Sequence, residues 1–247
     1  MEKDYEKKYH DSEYSNWWFV SRRDAILKLL KNERKDLKIL DIGCAGGPLI
    51  GDLKEKGFNN VYGIDFSADA VQLCKSRGFE NVFLMDAHYP EFPENYFDII
   101  ISSDSLEHLE KDNVAVSNWY KILKPGGKIL IFVPAFMTLW SAYDEANMHY
   151  RRYTKFSLSN VLKEVGFVID KAYYWNCLMF IPVLVYRTLQ RIKYRVARSS
   201  KKYDNQLIQF NPVVNSVLNF WMQKMENPVF IHFGFPVGVS VFISAIK

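Results

Sequence analysis

Three carboxylates and two imidazoles stand where they could do chemistry in this 247-residue chain. Asp41-Ile42-Gly43-Cys44-Ala45-Gly46-Gly47 sets an acid two positions before a run of small residues, which lets a ligand approach the backbone closely. Asp65 follows the apolar stretch Tyr62-Gly63-Ile64 about twenty residues on, where a strand-tip carboxylate can accept both hydroxyls of a ribose. Asp86, in Met85-Asp86-Ala87, ends the next apolar run. These acids describe a nucleoside site, and the leading acid departs from the GxGxxG turn of a nicotinamide site. His108, in Ser105-Leu106-Glu107-His108-Leu109, and His149, in Met148-His149-Tyr150-Arg151-Arg152-Tyr153-Thr154, are the groups suited to proton transfer. An imidazole of ordinary pKa, about 6.5, can take a hydroxyl proton near neutral pH.

Such residues need strands to carry them. Leu37, Ile39, Leu40 and Ile42 form a short apolar run that enters the glycine-rich turn. Helical spacing over 48–57 ends at Gly57, a second strand covers 61–65, and a helix over 68–77 stops at Gly78. Strands at 81–85 and 97–102, a helix at 112–123, the turn Lys124-Pro125-Gly126-Gly127 and a strand at 128–133 continue the alternation. Helix 157–165 leads to a strand at about 167–174. Apolar strands separated by helices need crossovers that bury both sheet faces, so the pattern predicts a doubly wound α/β domain. Val237, Val239, Val241 and Ile243 alternate with period two and supply a last strand.

With those elements in place, the chain resembles the class I S-adenosylmethionine-dependent methyltransferases, whose first motif reads DxGCGxG and whose second strand ends in an acid. The resemblance covers roughly residues 37–170 and the last strand, and includes Phe97-Asp98-Ile99-Ile100 and Leu123-Lys124-Pro125-Gly126-Gly127. It implies a Rossmann-like seven-stranded sheet with an antiparallel last strand. It implies S-adenosyl-L-methionine as cofactor, with S-adenosyl-L-homocysteine as product. Gly43, Ala45 and Gly47 would line the methionine end, Asp41 would orient the loop and approach the amino-acid portion, Asp65 would hold the ribose and Asp86 with Ala87 would face the adenine, with Phe66 and Ser103 also among the cofactor-binding residues. Ala45 departs from the family's second glycine, and alanine does not freely adopt positive φ, so an altered turn is expected.

Residues 14–23, Tyr-Ser-Asn-Trp-Trp-Phe-Val-Ser-Arg-Arg, resemble the WWF-x-x-RR segment of a branch linked to lipid or glycan modification. In that reading residues 1–36 form a helical lid, and Trp18 and Arg22 join the cofactor site, where rings can face the sulfonium. The alternative is a helix that packs its rings on the sheet. His149 is the expected catalytic base or a residue that fixes its loop by hydrogen bonding, and His108 a second base or a pocket wall. In-line geometry supplies most of the rate of methyl transfer, so a base matters chiefly when the nucleophile is a hydroxyl. The expected reaction is methyl transfer to an oxygen, and in second place to a nitrogen or carbon, of a small, lipid-linked or glycan-type acceptor. A cofactor-binding module without transferase activity is the competing class.

Residues 175–236 interrupt the core of 37–174 before the final strand at 237–247. The run at 177–186 is interrupted by Pro182 and is short of the roughly 20 residues that span a bilayer. Residues 187–202 hold seven Lys or Arg and no acid, while residues 37–135 carry five more acids than bases. An apolar face beside cations suits an anionic membrane surface through 177–202, and a lid over the acceptor pocket or a dimer surface is the other reading. Nucleic acid is disfavoured because no basic ladder interleaved with rings crosses the acidic core.

Composition fits a globular chain, 49% hydrophobic and 24% charged, and 16% aromatic residues exceed what a single core needs. Three scattered cysteines and no histidine at zinc spacing predict no metal site and a reducing compartment. The charged first residues lack a secretory leader's apolar stretch, so the expectation is cytoplasmic, peripheral to the inner face of the membrane. The acceptor's identity and the oligomeric state are not encoded in these patterns.

Overall fold

A computed structural model describes residues 12–197 and 211–247, with the side chains of 193–197 outside that description. A helix α1 (Trp17–Leu29) precedes strand β1 (Lys38–Ile42), helix α2 (Pro48–Glu55), β2 (Asn60–Asp65), α3 (Ala68–Ser76), β3 (Val82–Leu84) and β4 (Phe97–Ser103). There follow α4 (Asp112–Ile122), β5 (Leu123–Pro134), a short α5 (Ala142–Ala146), α6 (Lys155–Val165) and β6 (Val168–Trp175). Helices α7 (Phe180–Ala197), α8 (Pro212–Trp221) and α9 (Asn227–Phe233) stand between β6 and the last strand β7 (Ser240–Ile246). A π-helical turn, Met222–Glu226, joins α8 to α9.

The seven strands lie in the order β3-β2-β1-β4-β5-β7-β6, with β1 to β5 parallel and β7 antiparallel to both β5 and β6. The order reverses between β1 and β4, paired Ile39 to Ile99 and Ile42 to Ser102. Outside the carboxyl ends of those two strands lies the crevice where such sheets bind ligands. Alternate strand residues feed two opposite layers: Leu40, Ile42, Ile100 and Ile131 pack with Trp119 of α4 and Leu162 of α6. Ile39, Ile99, Ile101 and Phe132 pack with Ile26 of α1, Leu53 of α2, Met222 and Phe230. Both faces are buried, which is why these strands read as continuous apolar runs.

Several boundaries differ from the sequence reading. Helix α1 starts at Trp17, seven residues before the helical periodicity is evident at Asp24, because Asn16 caps it by accepting from Trp18 N at 2.9 Å. The Lys124-Pro125-Gly126-Gly127 turn lies inside β5 as a bulge: Phe97 pairs with Leu123 and Ile99 with Lys128. Helix α6 starts at Lys155, before the expected 157, because Thr154 caps it, accepting from Ser157 N at 3.1 Å. Residues 136–153, for which the apolar pattern predicts no element, contain α5 and its capping box at Ser141 and Asp144.

Helix α7 also departs from expectation. An interfacial helix would present its cations outward with its apolar face toward lipid, but Arg187 donates to the Leu139 carbonyl and Arg191 donates at 2.7 Å to the Trp140 carbonyl. Those carbonyls sit in a connection with no ladder of its own, and the guanidinium groups satisfy them. The outward stripe is apolar instead, with Ile181, Val185, Leu189 and Ile192 exposed. Among the described residues no helix is long and apolar enough to cross a membrane.

Candidate functional site

The turn after β1 is built by backbone geometry. Gly43, Ala45 and Gly47 take positive φ of 72°, 47° and 80°. Gly43 N and Cys44 N both donate to the Ile64 carbonyl, at 2.9 and 3.0 Å. A Cβ on Gly43 would lie 2.2 Å from Ser105 Oγ, so only glycine lets the exits of β1 and β4 touch here. The turn expected to be altered at Ala45 keeps its left-handed conformation. Ala45 N donates to Asp65 Oδ2 at 2.8 Å, and this charge-assisted bond holds the alanine in place.

Asp65 therefore has a structural task as well: its Oδ1 accepts from Ser67 N at 2.8 Å. A carboxylate has about four lone-pair sites, so each oxygen can still accept one ribose hydroxyl. Phe66 beside it is 85% exposed, a ring face open to stacking at the tip of β2. Asp41 is buried, and burial first, then the charges of Asp65 and Glu13, push its carboxyl up to about 8. Asp86 Oδ1 accepts from His88 N and pairs with His88 Nδ1, both at 2.8 Å, and those bonds outweigh burial to lower its pKa. The Ala87 carbonyl accepts from Trp119 Nε1 at 2.8 Å, which fixes the β3 exit against α4. Ser103, partly exposed, ends β4.

Across the crevice the β4 exit continues into a 3-10 turn, Leu106–His108. Ser105 Oγ donates to the Ile42 carbonyl at 2.8 Å and ties that turn to β1. Tyr150 N donates to the Glu107 carbonyl at 2.8 Å, which brings His149 alongside: the rings of His108 and His149 meet edge to face, 4.6 Å between centroids. His149 Nδ1 lies 3.0 Å from Asp144 Oδ1, and Nε2 is left for other partners. Asp144 is fully buried and also accepts from Arg152 Nε at 2.6 Å, with Arg187 Nη1 at 3.5 Å. Burial works to raise the Asp144 pKa, but the bonds from His149 and Arg152 and the charges of Arg152 and Arg187 hold it far below the usual range. Burial, then the neighbouring His149, lowers His108 to about 4, so it is neutral at physiological pH. Burial, then Arg152, lowers Arg187 to about 10.

Asp144, Arg152 and Arg187 are site residues the sequence reading missed. Arg152 stands in the segment that drew attention to His149, and its spacing was the available signal. Asp144 and Arg187 are defined by tertiary packing, with no local pattern.

The aromatic N-terminal segment resolves in favour of packing. Arg22 is 2% exposed: Nη1 bonds Asp104 Oδ1 at 3.2 Å, Nη2 bonds Ser240 Oγ at 2.8 Å, and the guanidinium lies 5.1 Å from the Trp18 ring and 4.3 Å from the Trp175 ring. The cation these rings face in this structure is Arg22 itself, whose guanidinium ties α1 to Asp104 just beyond β4 and to Ser240 of β7. Helix α1 is also stitched to the inserted helices, by Trp17 N to Asn215 Oδ1 at 2.8 Å and Asn227 Nδ2 to the Ser21 carbonyl at 2.8 Å.

A family model described as a methyltransferase domain matches residues 14–172. Phosphoethanolamine N-methyltransferase 1 of Zea mays is 29% identical over 132 residues, 51% of this chain and 26% of that protein. The chain thus spans about a quarter of the length of the maize relative it matches. The ubiquinone biosynthesis O-methyltransferase of Klebsiella pneumoniae is 29% identical over 99 residues, 37% of this chain and 40% of that one. Among solved structures, an S-adenosylmethionine-dependent methyltransferase of Archaeoglobus fulgidus superposes with a TM-score of 0.61 at 23% identity, covering 97% of this chain and 99% of its own. That likeness fixes the fold.

Proposed function

The chain belongs to the class I S-adenosylmethionine-dependent methyltransferases, and from that premise we propose that it methylates an oxygen of a lipid-linked, glycan-type or other small acceptor. The competing reading, a cofactor-binding module without transferase activity, is not favoured by that membership. The observation that carries the acceptor chemistry is His149: its Nδ1 is held by a buried carboxylate, its ring stands against His108, and its loop is hydrogen-bonded to the β4 exit beside the cofactor turn.

The residues present fit the cofactor. Asp41, the positive-φ turn at Gly43, Ala45 and Gly47, the strand-tip Asp65 with the open ring of Phe66, and Asp86 with Ala87 would hold it from its methionine end to its adenine. S-adenosylmethionine bound there supplies an electrophilic methyl group and leaves as S-adenosylhomocysteine. The chain's own residues do the rest. Asp144 fixes the tautomer of His149 with Nδ1–H directed at its carboxylate, so Nε2 is the acceptor for the hydroxyl proton. Arg152 and Arg187 keep Asp144 ionised, which stabilises the imidazolium that proton transfer creates.

The lipid-linked form of the acceptor is supported by the surface. The apolar stripe of α7 has a counterpart on α8, where Val213, Val217, Phe220 and Trp221 are exposed, and beyond the inward-turned Arg187 and Arg191 the sequence carries five more Lys or Arg in 193–202. An apolar face with a basic neighbourhood adsorbs to anionic bilayers, and the cytoplasmic leaflet is the anionic surface such a protein would meet. The resemblance of residues 17–23 to the segment of a lipid- and glycan-modifying branch points the same way.

The test is a labelled-cofactor transfer assay on anionic vesicles carrying lipid-linked hydroxyl acceptors, beside soluble ones. His149→Ala should lower turnover by about 100-fold or more, within the usual range for a lost general base, while cofactor affinity stays within a few-fold. Methylation of amines alone, or full turnover in His149→Ala, would sink the oxygen assignment. Failure of the protein to float with anionic vesicles at low salt would remove the membrane.

A further inference from the structure

Glu107, His108 and His149 each offer a donor atom, and the three atoms lie within 4.8 Å of one another. Both imidazoles are already oriented by an outer partner: His149 Nδ1 by the Asp144 carboxylate at 3.0 Å, and His108 by the Asn147 backbone. Histidine ligands in metal sites are held in this way, one nitrogen on a carboxylate or carbonyl and the other on the ion. The third member is the telling one. Glu107 is completely buried, and among the described residues neither carboxylate oxygen accepts a hydrogen bond from another residue. A buried polar group without a partner costs free energy comparable to a lost hydrogen bond, and a cation is one partner that would remove that cost.

We propose that Glu107, His108 and His149 form a site for one divalent transition-metal cation. Two imidazole nitrogens and one carboxylate oxygen suit zinc, iron(II) or nickel better than magnesium or calcium, which prefer all-oxygen shells. Zinc about 2.0–2.2 Å from each donor needs the donors roughly 3.3–3.6 Å apart, so side-chain movement of about 1 Å closes the site. Three protein ligands leave a coordination position open, and an acceptor oxygen is the group placed to fill it. The inference goes beyond the reading of the acceptor site, rests on it only for this open position, and where the cation is bound it replaces the base role of His149. With the cation bound, the acceptor hydroxyl gives its proton to solvent as its oxygen meets the ion, and His149 serves as ligand in place of base.

Sequence spacing could not reveal such a site. Glu107 and His149 lie far apart in the chain, and the hydrogen bond from Tyr150 N to the Glu107 carbonyl joins their segments.

The experiment is calorimetric titration of the full chain, stripped with chelator and free of cofactor and acceptor, with zinc, nickel and magnesium chlorides in turn. One equivalent of zinc or nickel with a dissociation constant of about 10 μM or tighter is expected, and no binding of magnesium. Glu107→Gln and His149→Ala should each weaken zinc binding at least tenfold, Asp144→Asn by 10- to 100-fold as an outer partner, and His232→Ala not at all. Cobalt(II) absorption in the visible gives a second readout, whose ligand-field bands should vanish in His108→Ala; any variant that fails to fold is replaced by the others. Absence of stoichiometric zinc and nickel uptake, or uptake unchanged in both Glu107→Gln and His149→Ala, overturns the proposal. Neither result touches the assignment of His149 as base, and zinc uptake by a protein that methylates no hydroxyl would sink the functional reading while leaving the metal site standing.

Discussion

The two walls of the crevice between β1 and β4 are built on different principles. On the cofactor side, binding groups belong to short contiguous segments at strand tips, and the turn is held largely by backbone donors: Gly43 N and Cys44 N on the Ile64 carbonyl, and Ala45 N on Asp65. On the proposed acceptor side, Glu107, His108, Asp144, His149, Arg152 and Arg187 come from the β4 exit, α5, the loop after it and α7, and side-chain charges centred on Asp144 hold His149, Arg152 and Arg187. A site made of backbone and turn chemistry can be written into one motif. A site made of mutually compensating charges exists only when every contributor is in place.

That contrast predicts where each wall is fragile. Asp144→Ala should give the largest loss of stability: it leaves Arg152 and Arg187 buried without their anion and frees His149, and breaking a buried ion pair costs about 3–5 kcal/mol. Asp65→Ala removes two hydrogen bonds from backbone donors, an expected loss of roughly 1–3 kcal/mol, while weakening cofactor binding by about 100-fold. Urea unfolding midpoints and cofactor titrations of both variants test the pair. A larger stability loss for Asp65→Ala than for Asp144→Ala would break the contrast.

Asp41 and His108, one on each wall, should respond to pH with opposite signs, while the buried Glu107, whose carboxyl burial pushes up, follows the sign of Asp41. Asp41 is raised from 3.8 to about 8 in the folded chain, so between pH 4 and 8 the folded state holds a proton the unfolded state has lost. Its contribution to stability therefore falls as pH rises across that window, by up to about 1.4 kcal/mol per pH unit. His108 is lowered from 6.5 to about 4, so the unfolded state holds the extra proton between those values and stability rises with pH there. Between pH 4 and 6.5 the two slopes oppose and nearly cancel, so Asp41→Asn should weaken the decline above pH 6.5 and unmask a rise below it, and His108→Ala should extend the decline below pH 6.5, in urea midpoints measured from pH 4 to 8. Saturating cofactor should flatten the Asp41 decline, because the methionine ammonium placed beside it favours ionisation. Calorimetry at pH 7 in buffers of different ionisation enthalpy should then show proton release on binding.

The same division explains what could be read from the sequence. Apolar runs separated by helical spacing were enough for the strands of the core and for the place of the last one, since burial on both faces imposes that pattern. The candidate cofactor residues could be singled out because Asp41, Asp65 and Asp86 lie at or just beyond the carboxyl ends of β1, β2 and β3. Arg22 was not, since its partners Asp104 and Ser240 lie 82 and 218 residues away and nothing local shows that Trp18 and Trp175 face its own guanidinium. Asp144 was hidden in a five-residue helix too short to show periodicity. His149 could be singled out but not given its orienting carboxylate. On α7 the sequence showed cations and an apolar stripe, yet it could not say that Arg187 and Arg191 turn inward to satisfy carbonyls at Leu139 and Trp140.

The smallest effect is expected at Ala45, and it probes the backbone wall most directly. At φ 47° an alanine carries the left-handed penalty of about 1–2 kcal/mol that glycine escapes. Glycine returns part of that gain, about 0.4–1 kcal/mol, through greater freedom of the unfolded chain. Ala45→Gly should therefore stabilise the protein by roughly 0.5–1 kcal/mol, a rise in Tm of about 1–4 °C for a chain of this size. Cofactor affinity should change by less than about threefold, because the donor to Asp65 is the backbone N–H of residue 45, which glycine also has. A gain of tenfold or more would mean that the alanine holds the turn away from its binding geometry, and the cofactor wall would then owe its shape to a side chain as the acceptor wall does.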